Sequence, residues 1–504
     1  MEKRLILAIA LSLIVLISWS FIVPKPQHVA TQDVVEKNIV SIENAVAIQE
    51  LLISQSKNEP LVFKTDNFEV FFNKPLGAIE KIVFSKYKDH NFLLGKGFLI
   101  NNKNIVFQKS EQKDKAIVFK YSGPDLNIEK KFTFHNSSYS IDLEITATNT
   151  SKQEVTLQMP LVIGNLDLSS KNPQTRFIDT ALMNSETELY SNGHKNLSLS
   201  NIKFIGFRDQ YFTALLSPVN FTAEGYINKE SNQSSEIGVN VQNEIIAPGK
   251  QIGHLYKIYL GPQDVSLINS VNPDWAKIVR YGPRLLDFIS QILLQTLKAI
   301  YGIFRNWGIA IILLSILVYL ILYPLSLKQM RSMKEMQILQ PKVEEIRKAY
   351  KDNPQKMNKE IMELYREHKV NPLGGCLPLL LQMPIFFALY NALIRSISLK
   401  GAGFLWIKDL SEPDKLYVFE KALPLIGKDL NILPIIMAIG MFFQQKISSS
   451  SMTGSAAEQQ KIMFVVMPIM FGIIFYRMPS GLVLYWFVNS ILMLIFQLRM
   501  QRSK

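Results

Sequence analysis

Several predominantly apolar runs in the chain reach or approach the length that a helix needs to cross a lipid bilayer. Such a helix needs about 20 predominantly apolar residues. Runs of this kind occupy Leu5–Val23, Ile309–Leu327, Leu377–Ile397, Leu430–Ile447, Ile462–Tyr476 and Leu482–Leu498. They predict an integral membrane protein with six transmembrane helices. The last five lie in the C-terminal half, where we expect the function to reside.

The first run is predicted to be an uncleaved anchor over residues 1–23. Lys3 and Arg4 precede it, and large residues such as Trp19 and Phe21 stand where a signal peptidase needs small ones. The positive flank stays in the cytoplasm and the following chain is exported. Residues 24–57 are polar and are read as a linker on the exported side.

Residues 58–265 change to a period of two, which is typical of half-buried strands. Phe68–Phe72 and Tyr256–Leu260 alternate, and Phe132–Ile145 reads as a hairpin with its turn at His135. We expect an exported all-β sandwich. Its carboxylates show no acid–base spacing, the six histidines are scattered and Cys376 is the single cysteine. We therefore expect no enzyme, no metal site and no cofactor, while a sugar- or peptide-binding cleft stays open.

Residues 275–304 are amphipathic and carry charges, including Arg280, Arg284 and Asp287. Each charge costs about 2.5–3.5 kcal/mol near the centre of a bilayer. An interfacial helix therefore fits this segment better than a membrane span.

Charge distribution sets the predicted orientation. Residues 328–369 contain eleven Lys or Arg, and the chain ends in a basic segment. The positive-inside rule then places this loop and both termini in the cytoplasm and the β domain in the periplasm. Helical spacing interrupted at Asp352–Pro354 predicts a helical hairpin over 328–369. Membrane topology thus accounts for much of the net charge of +13, and no specific nucleic-acid partner is expected.

Motifs in residues 306–504 resemble those of the YidC/Oxa/Alb family of membrane protein insertases, in the Gram-negative form with a large periplasmic domain. The carrying segments are Tyr323–Leu325, Leu339–Pro341, Val370–Pro378, Leu381–Phe386, Ala388–Tyr390, Met441–Phe443 and Pro479–Tyr485.

The resemblance implies an inner-membrane bundle of α-helices, six of them transmembrane, with a cytoplasmic hairpin and an inserted periplasmic all-β supersandwich that is largely dispensable for insertion. Residues 306–504 would be the five-helix core. The implied clients are nascent membrane proteins, inserted into the lipid bilayer alone or with the Sec translocon. The ribosome and the signal recognition machinery are further candidate partners.

The resemblance also implies a polar groove that is open to the cytoplasm and to lipid. Polar residues within membrane helices are functional candidates, and Trp486 matches an aromatic position that meets clients in the family. The predicted groove residues are Ser315, Tyr319, Gln382, Asn391, Gln444, Trp486, Asn489 and Ser490. Hydrogen bonding between helices is the competing explanation for the polar residues, and packing against lipid is the competing explanation for Trp486.

One residue departs from the family pattern. Relatives usually have an arginine four residues before the Tyr323–Leu325 motif, whereas this chain has Tyr319, and Arg305 lies at the outer end of the span. We therefore expect a groove that relies on hydrogen bonding rather than on attraction to acidic tails. Two other functions remain open, a transporter or channel, and a sensor whose β domain binds a ligand.

Overall fold

The computed structural model describes residues 60–87, 90–102, 105–136, 138–169, 175–368, 370, 377–423, 427–449 and 455–502. The predicted anchor and linker lie outside these residues, as does Cys376. The described chain begins with a β domain and continues into a set of packed helices.

The β domain is built from antiparallel strands. In chain order they are β1 Leu61–Lys64, β2 Phe68–Asn73, β3 Ala78–Phe84, β4 Asn91–Gly97, β5 Leu99–Ile100, β6 Lys109–Lys113, β7 Ala116–Ser122, β8 Leu126–Phe134, β9 Ser140–Asn149, β10 Val155–Leu157, β11 Leu161–Asp167, β12 Asp179–Met183, β13 Glu188–Ser191, β14 Leu197–Leu199, β15 Phe204–Arg208, β16 Phe212–Pro218, β17 Glu224–Lys229, β18 Ser234–Asn240, β19 Glu244–Ile246 and β20 Gln251–Pro262.

These strands form one large sheet and several smaller ones. The nine-stranded sheet has the order β13-β12-β15-β16-β20-β9-β8-β7-β6. A five-stranded sheet has the order β14-β17-β18-β11-β5, a four-stranded sheet the order β1-β2-β3-β4, and β10 pairs with β19. The predicted hairpin is β8–β9, in which Phe132 lies opposite Leu143 and Phe134 opposite Ile141.

Aromatic side chains join the sheets face to face. The ring of Phe72 on β2 lies 5.2 Å from that of Phe132 on β8. Phe84 on β3 stacks on Phe212 of β16 at 3.9 Å. All four side chains are buried. Burial of each one stabilises the fold by roughly 1.5–3 kcal/mol, because it removes apolar surface from water. The period-two pattern therefore led to the correct architecture, a β-sandwich.

Helices make up most of the chain after the β domain. They are α1 Val265–Asn269, α2 Arg284–Phe304, α3 Trp307–Ala349, α4 Pro354–Glu367, α5 Leu377–Ile394, α6 Ile432–Ser449, α7 Ser455–Phe475 and α8 Ser480–Arg502. Between α5 and α6 the loop carries a hairpin of β21 Tyr417–Leu423 and β22 Gly427–Leu430. Short 3-10 turns occupy Thr175–Phe177, Pro273–Ile278 and Ile397–Leu399.

Two helical segments of the described chain are long and apolar enough to cross a membrane, Trp307–Leu327 and Ser480–Arg499. Three shorter apolar helices, Gln382–Ile394, Ile432–Lys446 and Val465–Phe475, coincide with the other predicted spans of the C-terminal half. Length and composition thus identify fewer spans than the sequence pattern predicts.

The amphipathic helix α2 begins at Arg284, later than the predicted start at residue 275. Trp275 instead belongs to the β domain, where it is fully buried and its Nε1 donates to Ser217 Oγ at 2.7 Å. Gly282, with φ of +139°, and Pro283 then break the chain direction before the helix. The apolar residues before Gly282 therefore pack on a sheet of the β domain and do not extend the helix.

Two faces of α2 differ sharply in exposure. Leu293 and Leu297 are buried against the neighbouring helices α3 and α5, whereas Leu285 and Phe288 are 67% and 64% exposed. Ser290 Oγ donates to the Ala388 carbonyl of α5 at 2.8 Å. An apolar face exposed in this way is typical of a helix that lies at a lipid surface.

The core of the helices forms around α8. This helix packs against α3 and α6, and α6 packs against α7. Leu314, Leu389, Met437 and Tyr485, from four different helices, are almost completely inaccessible. Helix α3 is continuous from its apolar segment into the basic region, and α4 packs back against it after a turn capped by the Asn353 side chain.

The β domain contacts the C-terminal end of α5 through polar groups. The Asp179 carboxylate accepts hydrogen bonds from Arg208 of the same domain at 2.7 Å and lies 3.0 Å from Arg395, directly after α5. Gln210 Nε2 donates to the Ile394 carbonyl at 2.8 Å. These contacts hold the β domain on the helical part of the chain.

Candidate functional site

Polar residues recur along α8, which is otherwise apolar. Asn489 Nδ2 donates to the Tyr485 carbonyl at 2.9 Å, and Ser490 Oγ donates to the Trp486 carbonyl at 3.0 Å. Both bonds return to the preceding turn of the same helix, as short polar side chains in helices commonly do. Ser490 is buried, whereas Asn489 is partly exposed.

A polar contact links α8 with α5. Gln382 Nε2 lies 3.5 Å from the Tyr485 hydroxyl, and Tyr485 is fully buried. A separation of 3.5 Å marks a weak hydrogen bond, so the Gln382 amide retains capacity for a stronger partner. Tyr485 therefore contacts both Gln382 of α5 and Asn489 of its own helix, α8.

Helix α3 carries two predicted groove residues in different environments. Ser315 is fully buried, and its Oγ donates to the Ile311 carbonyl at 2.7 Å. Tyr319 is partly exposed, yet its hydroxyl is buried and has no hydrogen-bond partner among the described residues. A buried hydroxyl in this state costs about 1–3 kcal/mol, so it has hydrogen-bonding capacity that the described fold does not use.

A second polar atom of this kind lies on α8 and was not predicted. Gln497 is buried, and its Oε1 accepts no hydrogen bond within the described chain. The two helices meet nearby, since the Tyr323 ring lies 5.2 Å from that of Phe496. We call Tyr319, Gln382, Tyr485, Asn489 and Gln497 the polar seam.

The sequence holds a signal for both unpredicted members of the seam. Tyr485 stands four residues before Asn489, and Gln497 stands seven residues after Ser490. These spacings place each pair on one face of a helix. Helical periodicity applied to the polar residues, rather than to the apolar ones, would have identified them.

Two predicted groove residues lie away from the seam. Asn391 is on the same helix as Gln382, about 13 Å further along the axis at a rise of 1.5 Å per residue. There it faces the linker before α2, with its Nδ2 3.7 Å from the position of a Cβ on Gly282. Gln444 is partly buried near the end of α6.

Trp486 lies in an aromatic cluster rather than on a lipid-facing surface. Its ring is 5.3 Å from Phe386 of α5, 5.5 Å from Phe471 of α7 and 5.3 Å from Phe475 of α7. Only 7% of the residue is accessible. In this arrangement Trp486 joins three helices, next to the seam but not within it.

The seam is suited to hydrogen bonding rather than to covalent chemistry. Its members are a tyrosine pair and three amides, which donate and accept hydrogen bonds without changing charge near neutral pH. Among the described residues, no group of three His, Cys, Asp or Glu side chains is placed to hold a metal ion. The arrangement offers unpaired polar atoms to a polar chain within apolar surroundings.

Comparison with known sequences and structures covers both parts of the chain. Residues 299–504 match the family described as 60Kd inner membrane protein, and residues 90–296 match the YidC periplasmic domain. The membrane protein insertase YidC of Geotalea uraniireducens is 32% identical over 100% of this chain and 99% of its own length.

A second relative and a solved structure also align with this chain. The insertase YidC of Pelobacter propionicus is 36% identical over 75% of this chain and 70% of its own length. A crystal structure of an active YidC insertase with its first transmembrane domain resolved aligns with a TM-score of 0.41 and 21% identity, covering 90% of this chain and 96% of that one.

Proposed function

The chain belongs to the YidC family of membrane protein insertases, and from this we infer that it inserts nascent proteins into the inner membrane and assists their folding there. The observation in this chain that carries the proposal is the pair of buried, unpaired polar atoms in apolar helices, Tyr319 Oη and Gln497 Oε1. They are the hydrogen-bonding capacity that a polar client segment needs inside a membrane.

We propose six transmembrane helices with both termini in the cytoplasm. Residues 1–23 would be the anchor, 24–57 the linker, 58–265 the periplasmic sandwich, 284–304 the interfacial helix and 306–504 the insertase core. The eleven basic residues of 328–369 support a cytoplasmic hairpin, and the exposed apolar face of α2 supports an interfacial position.

Single-cysteine variants in a Cys376→Ser background test this topology. Asp352→Cys should react with a membrane-impermeant maleimide from the cytoplasmic side only. Lys421→Cys, on the exposed β21 strand, should react from the periplasmic side only. Labelling of both positions from one side would refute the proposed orientation.

The mechanism follows from the cost of polar groups in hydrocarbon. A peptide group moved into an apolar medium without a partner costs several kcal/mol. The polar seam would supply partners along part of the path, while the client's apolar helix moves directly into lipid. Burial of that helix, at about 0.8 kcal/mol per CH₂ group, would drive the step without nucleotide hydrolysis.

The predicted groove residues would take different roles. Gln382 and Asn489 would contact a client directly, because each is partly exposed, and Tyr319 would do so once its buried hydroxyl is uncovered. Ser315 and Ser490 are buried and bonded within their own helices, so they would meet a client only after the helices separate. Asn391, Gln444 and Trp486 would border the path, with Trp486 holding the helices around it.

Because Tyr319 stands where relatives usually have an arginine, the part of the groove formed by the second predicted span carries no charge. We propose that acidic client tails are recognised by hydrogen bonding and receive no specific attraction. In an insertion assay, neutral and acidic versions of one client tail should then be inserted equally well. Tyr319→Arg should raise insertion of the acidic version selectively, and a preference for acidic tails in the unaltered protein would contradict the proposal.

Removal of the Tyr319 hydroxyl gives the sharpest test of the seam. Tyr319→Phe deletes a group that makes no internal hydrogen bond, so stability should stay equal or rise. Insertion of a polar-tailed client should slow by roughly two- to ten-fold, the effect of one net hydrogen bond. Unchanged insertion in this variant would exclude Tyr319 from the client path.

Crosslinking defines which surface the client tail meets. A photoreactive residue at 319 or 382 should crosslink to the polar tail of an arrested client. The same residue at 320 is the matched control, because Leu320 is adjacent and 59% exposed on the outer surface of α3. Equal tail crosslinking from 319 and 320 would indicate adsorption rather than a groove.

Partners and the role of the β domain follow from the same proposal. We propose that the protein acts both alone and beside the Sec translocon, with clients delivered by the ribosome and signal recognition machinery. Deletion of residues 61–260 should preserve most insertion activity. Loss of activity on this deletion would favour a sensor whose β domain binds a ligand.

A further inference from the structure

A cavity of about 230 Å³ lies where the β domain meets the outer ends of the helices. Its wall combines Arg176 and Gln210 of the β domain, Lys400 and Glu412 of the loop after α5, and Arg477 of the turn between α7 and α8. A water molecule occupies about 30 Å³ in the liquid, so the cavity has room for a solute of several heavy atoms. It is separate from the polar seam.

The charged side chains in the wall of this junction cavity are mostly cationic. Among the described residues, Arg176, Lys400 and Arg477 have no carboxylate within salt-bridge distance, whereas Glu412 is paired with Lys415 at 2.5 Å. Arg176 and Arg477 are exposed at the surface of the protein. Three cations without carboxylate partners therefore surround a space with one neutralised carboxylate, an arrangement that attracts an anion.

Side chains, not the helix end, must bind that anion. The first amides of α8 are already used, since Ser480 N donates to the Glu412 carbonyl at 2.7 Å and Gly481 N to the Leu410 carbonyl at 2.9 Å. Gln210 Nε2 is likewise engaged with the Tyr211 hydroxyl and the Ile394 carbonyl. Within the described part of the wall, the cations that make no salt bridge are Arg176, Arg477 and Lys400. Arg176 and Lys400 lie over the rings of Phe177 and Tyr211, which leaves their N–H groups able to donate to an anion.

The cavity stands at the level where apolar helices end. Arg477 follows α7 directly, and Lys400 follows the outer end of α5. In the proposed topology this level is the headgroup region of the outer leaflet, and Tyr390 and Ile394 of α5 extend the wall towards the hydrocarbon. Basic pockets beside membrane helices bind the headgroups of anionic phospholipids.

We propose that the junction cavity binds the phosphate of an anionic phospholipid of the outer leaflet, and that this lipid bridges the β domain and the helices through Arg176 and Arg477. The proposal rests on the membrane orientation given above. It goes beyond insertion, because it requires no client.

Lipid binding to the full-length protein in detergent micelles tests the proposal. Native mass spectrometry would compare phosphatidylglycerol with phosphatidylcholine of the same acyl chains, and inorganic phosphate would be added as a competitor. Phosphatidylglycerol should bind in preference. Arg176→Gln and Arg477→Gln should each weaken its binding by roughly five-fold, the effect of one cation at an anionic membrane surface.

Two further variants show whether binding depends on the charge of the cavity wall. Lys250→Gln, which removes an exposed cation of the β domain outside the cavity, should leave binding unchanged. Glu412→Gln removes the carboxylate from the wall and should tighten binding. Thermal denaturation of every variant establishes that it is folded.

Three outcomes would overturn the proposal. They are equal binding of the two lipids, unchanged phosphatidylglycerol binding in the Arg176→Gln, Arg477→Gln double variant, and binding of inorganic phosphate without any lipid preference. The last result would assign the cavity to a soluble anion. Because no client takes part, these outcomes are independent of whether the insertion tests succeed.

Discussion

Replacement of Asp179 by asparagine should weaken the attachment of the β domain to the helices. The Asp179 carboxylate accepts from Arg208 Nη2 at 2.7 Å and lies 3.0 Å from Arg395 Nη2. The side chains of Arg208 and Arg395 are only 4% and 14% exposed, so neither can be fully solvated when the carboxylate is lost. The substitution therefore leaves two positive charges close together.

The expected cost is about 2–3 kcal/mol. Truncating one partner of a buried, hydrogen-bonded ion pair costs about 2–5 kcal/mol, and Asp179 is itself 38% exposed, which favours the lower end. Arg208 keeps bonds to Gln263 Oε1 and the Arg280 carbonyl. Arg395 retains a 3.4 Å contact with the Phe177 carbonyl and a position over the Phe177 ring. Both are weaker than its ion pair, so the loss should fall mainly on the contact between the β domain and α5.

Thermal unfolding of the full-length protein in detergent measures this cost. For a unit of about 200 residues, 1 kcal/mol corresponds to roughly 2–4 °C, so the first transition of Asp179→Asn should fall by roughly 4–12 °C. Asp114→Asn, an exposed carboxylate at a β-turn, is the matched control and should not change. Insertion activity below the transition should persist, because the β domain is not expected to be needed for insertion.

A double-mutant cycle decides whether the ion pair is the cause. Arg395→Met removes the stranded charge, so Asp179→Asn should cost at least 1 kcal/mol less in that background. Strict additivity of the two substitutions, or a shift in Asp179→Asn no larger than that of Asp114→Asn, would refute the reasoning.

Substitutions at Lys130, Trp486 and Gly308 have defined outcomes. Burial lowers the pKa of Lys130 to about 7 from about 10.4 in an unfolded chain, so the unfolded state binds one more proton between these values. Below about pH 7 the buried Lys130 ammonium is charged and lowers the free energy of unfolding by its full amount. As the pH rises from 7 towards 10, the group loses its proton in the folded state first, so the free energy of unfolding should rise by up to about 1.4 kcal/mol per pH unit. Lys130→Met should remove this slope in denaturant titrations at pH 7–10, and parallel slopes would contradict the assignment. Trp486→Ala should lower the free energy of unfolding by about 3–5 kcal/mol, because it leaves a cavity. Trp486→Phe should retain most of the stability and insertion activity, and thermal unfolding and insertion assays on both variants would measure the difference. Gly308→Ala should destabilise the protein by about 1–3 kcal/mol, because its Cβ would lie only 2.0 Å from Phe404 Cγ, while Gly302→Ala, with no atom within 4 Å, should be neutral or stabilising in the same measurement.

Local patterns in the sequence predicted those parts of the fold that depend on neighbouring residues. The β8–β9 hairpin is an example, because alternation along each strand and a turn at His135 determine both the pairing and the buried face. The break at Asp352–Pro354 is another, because Asn353 caps the helix that follows it. In both cases the partner groups are close in sequence, so the pattern contains the interaction.

Contacts between distant segments were not predictable in this way. Trp275 fits an amphipathic helix by spacing, but its position is determined by Ser217 on β16. Asp179 and Arg395 are more than 200 residues apart in the sequence, and only the fold brings them together. Nothing in the local sequence specifies which strand end meets which helix end, so the junction and its cavity required the structure.

The predicted groove shows the same division. The sequence identified which polar residues lie in apolar helices, but not how each helix is rotated about its axis. That rotation separates Ser315, which is bonded to its own helix, from Tyr319, whose hydroxyl has no partner among the described residues. Membership of the seam is therefore a property of packing, although residue spacing along α8 would have added Tyr485 and Gln497.

The unpaired atoms of the seam have a consequence for stability and function together. Each of Tyr319 Oη and Gln497 Oε1 is destabilising by about 1–3 kcal/mol relative to a satisfied or apolar replacement. A phenylalanine at 319 would keep the ring packing without this cost. The hydroxyl therefore makes no hydrogen bond within the described resting fold, and a client that hydrogen-bonds to it would supply the missing partner. If the client provides that bond, substitutions that stabilise the seam should slow insertion, whereas substitutions in the junction should alter stability alone.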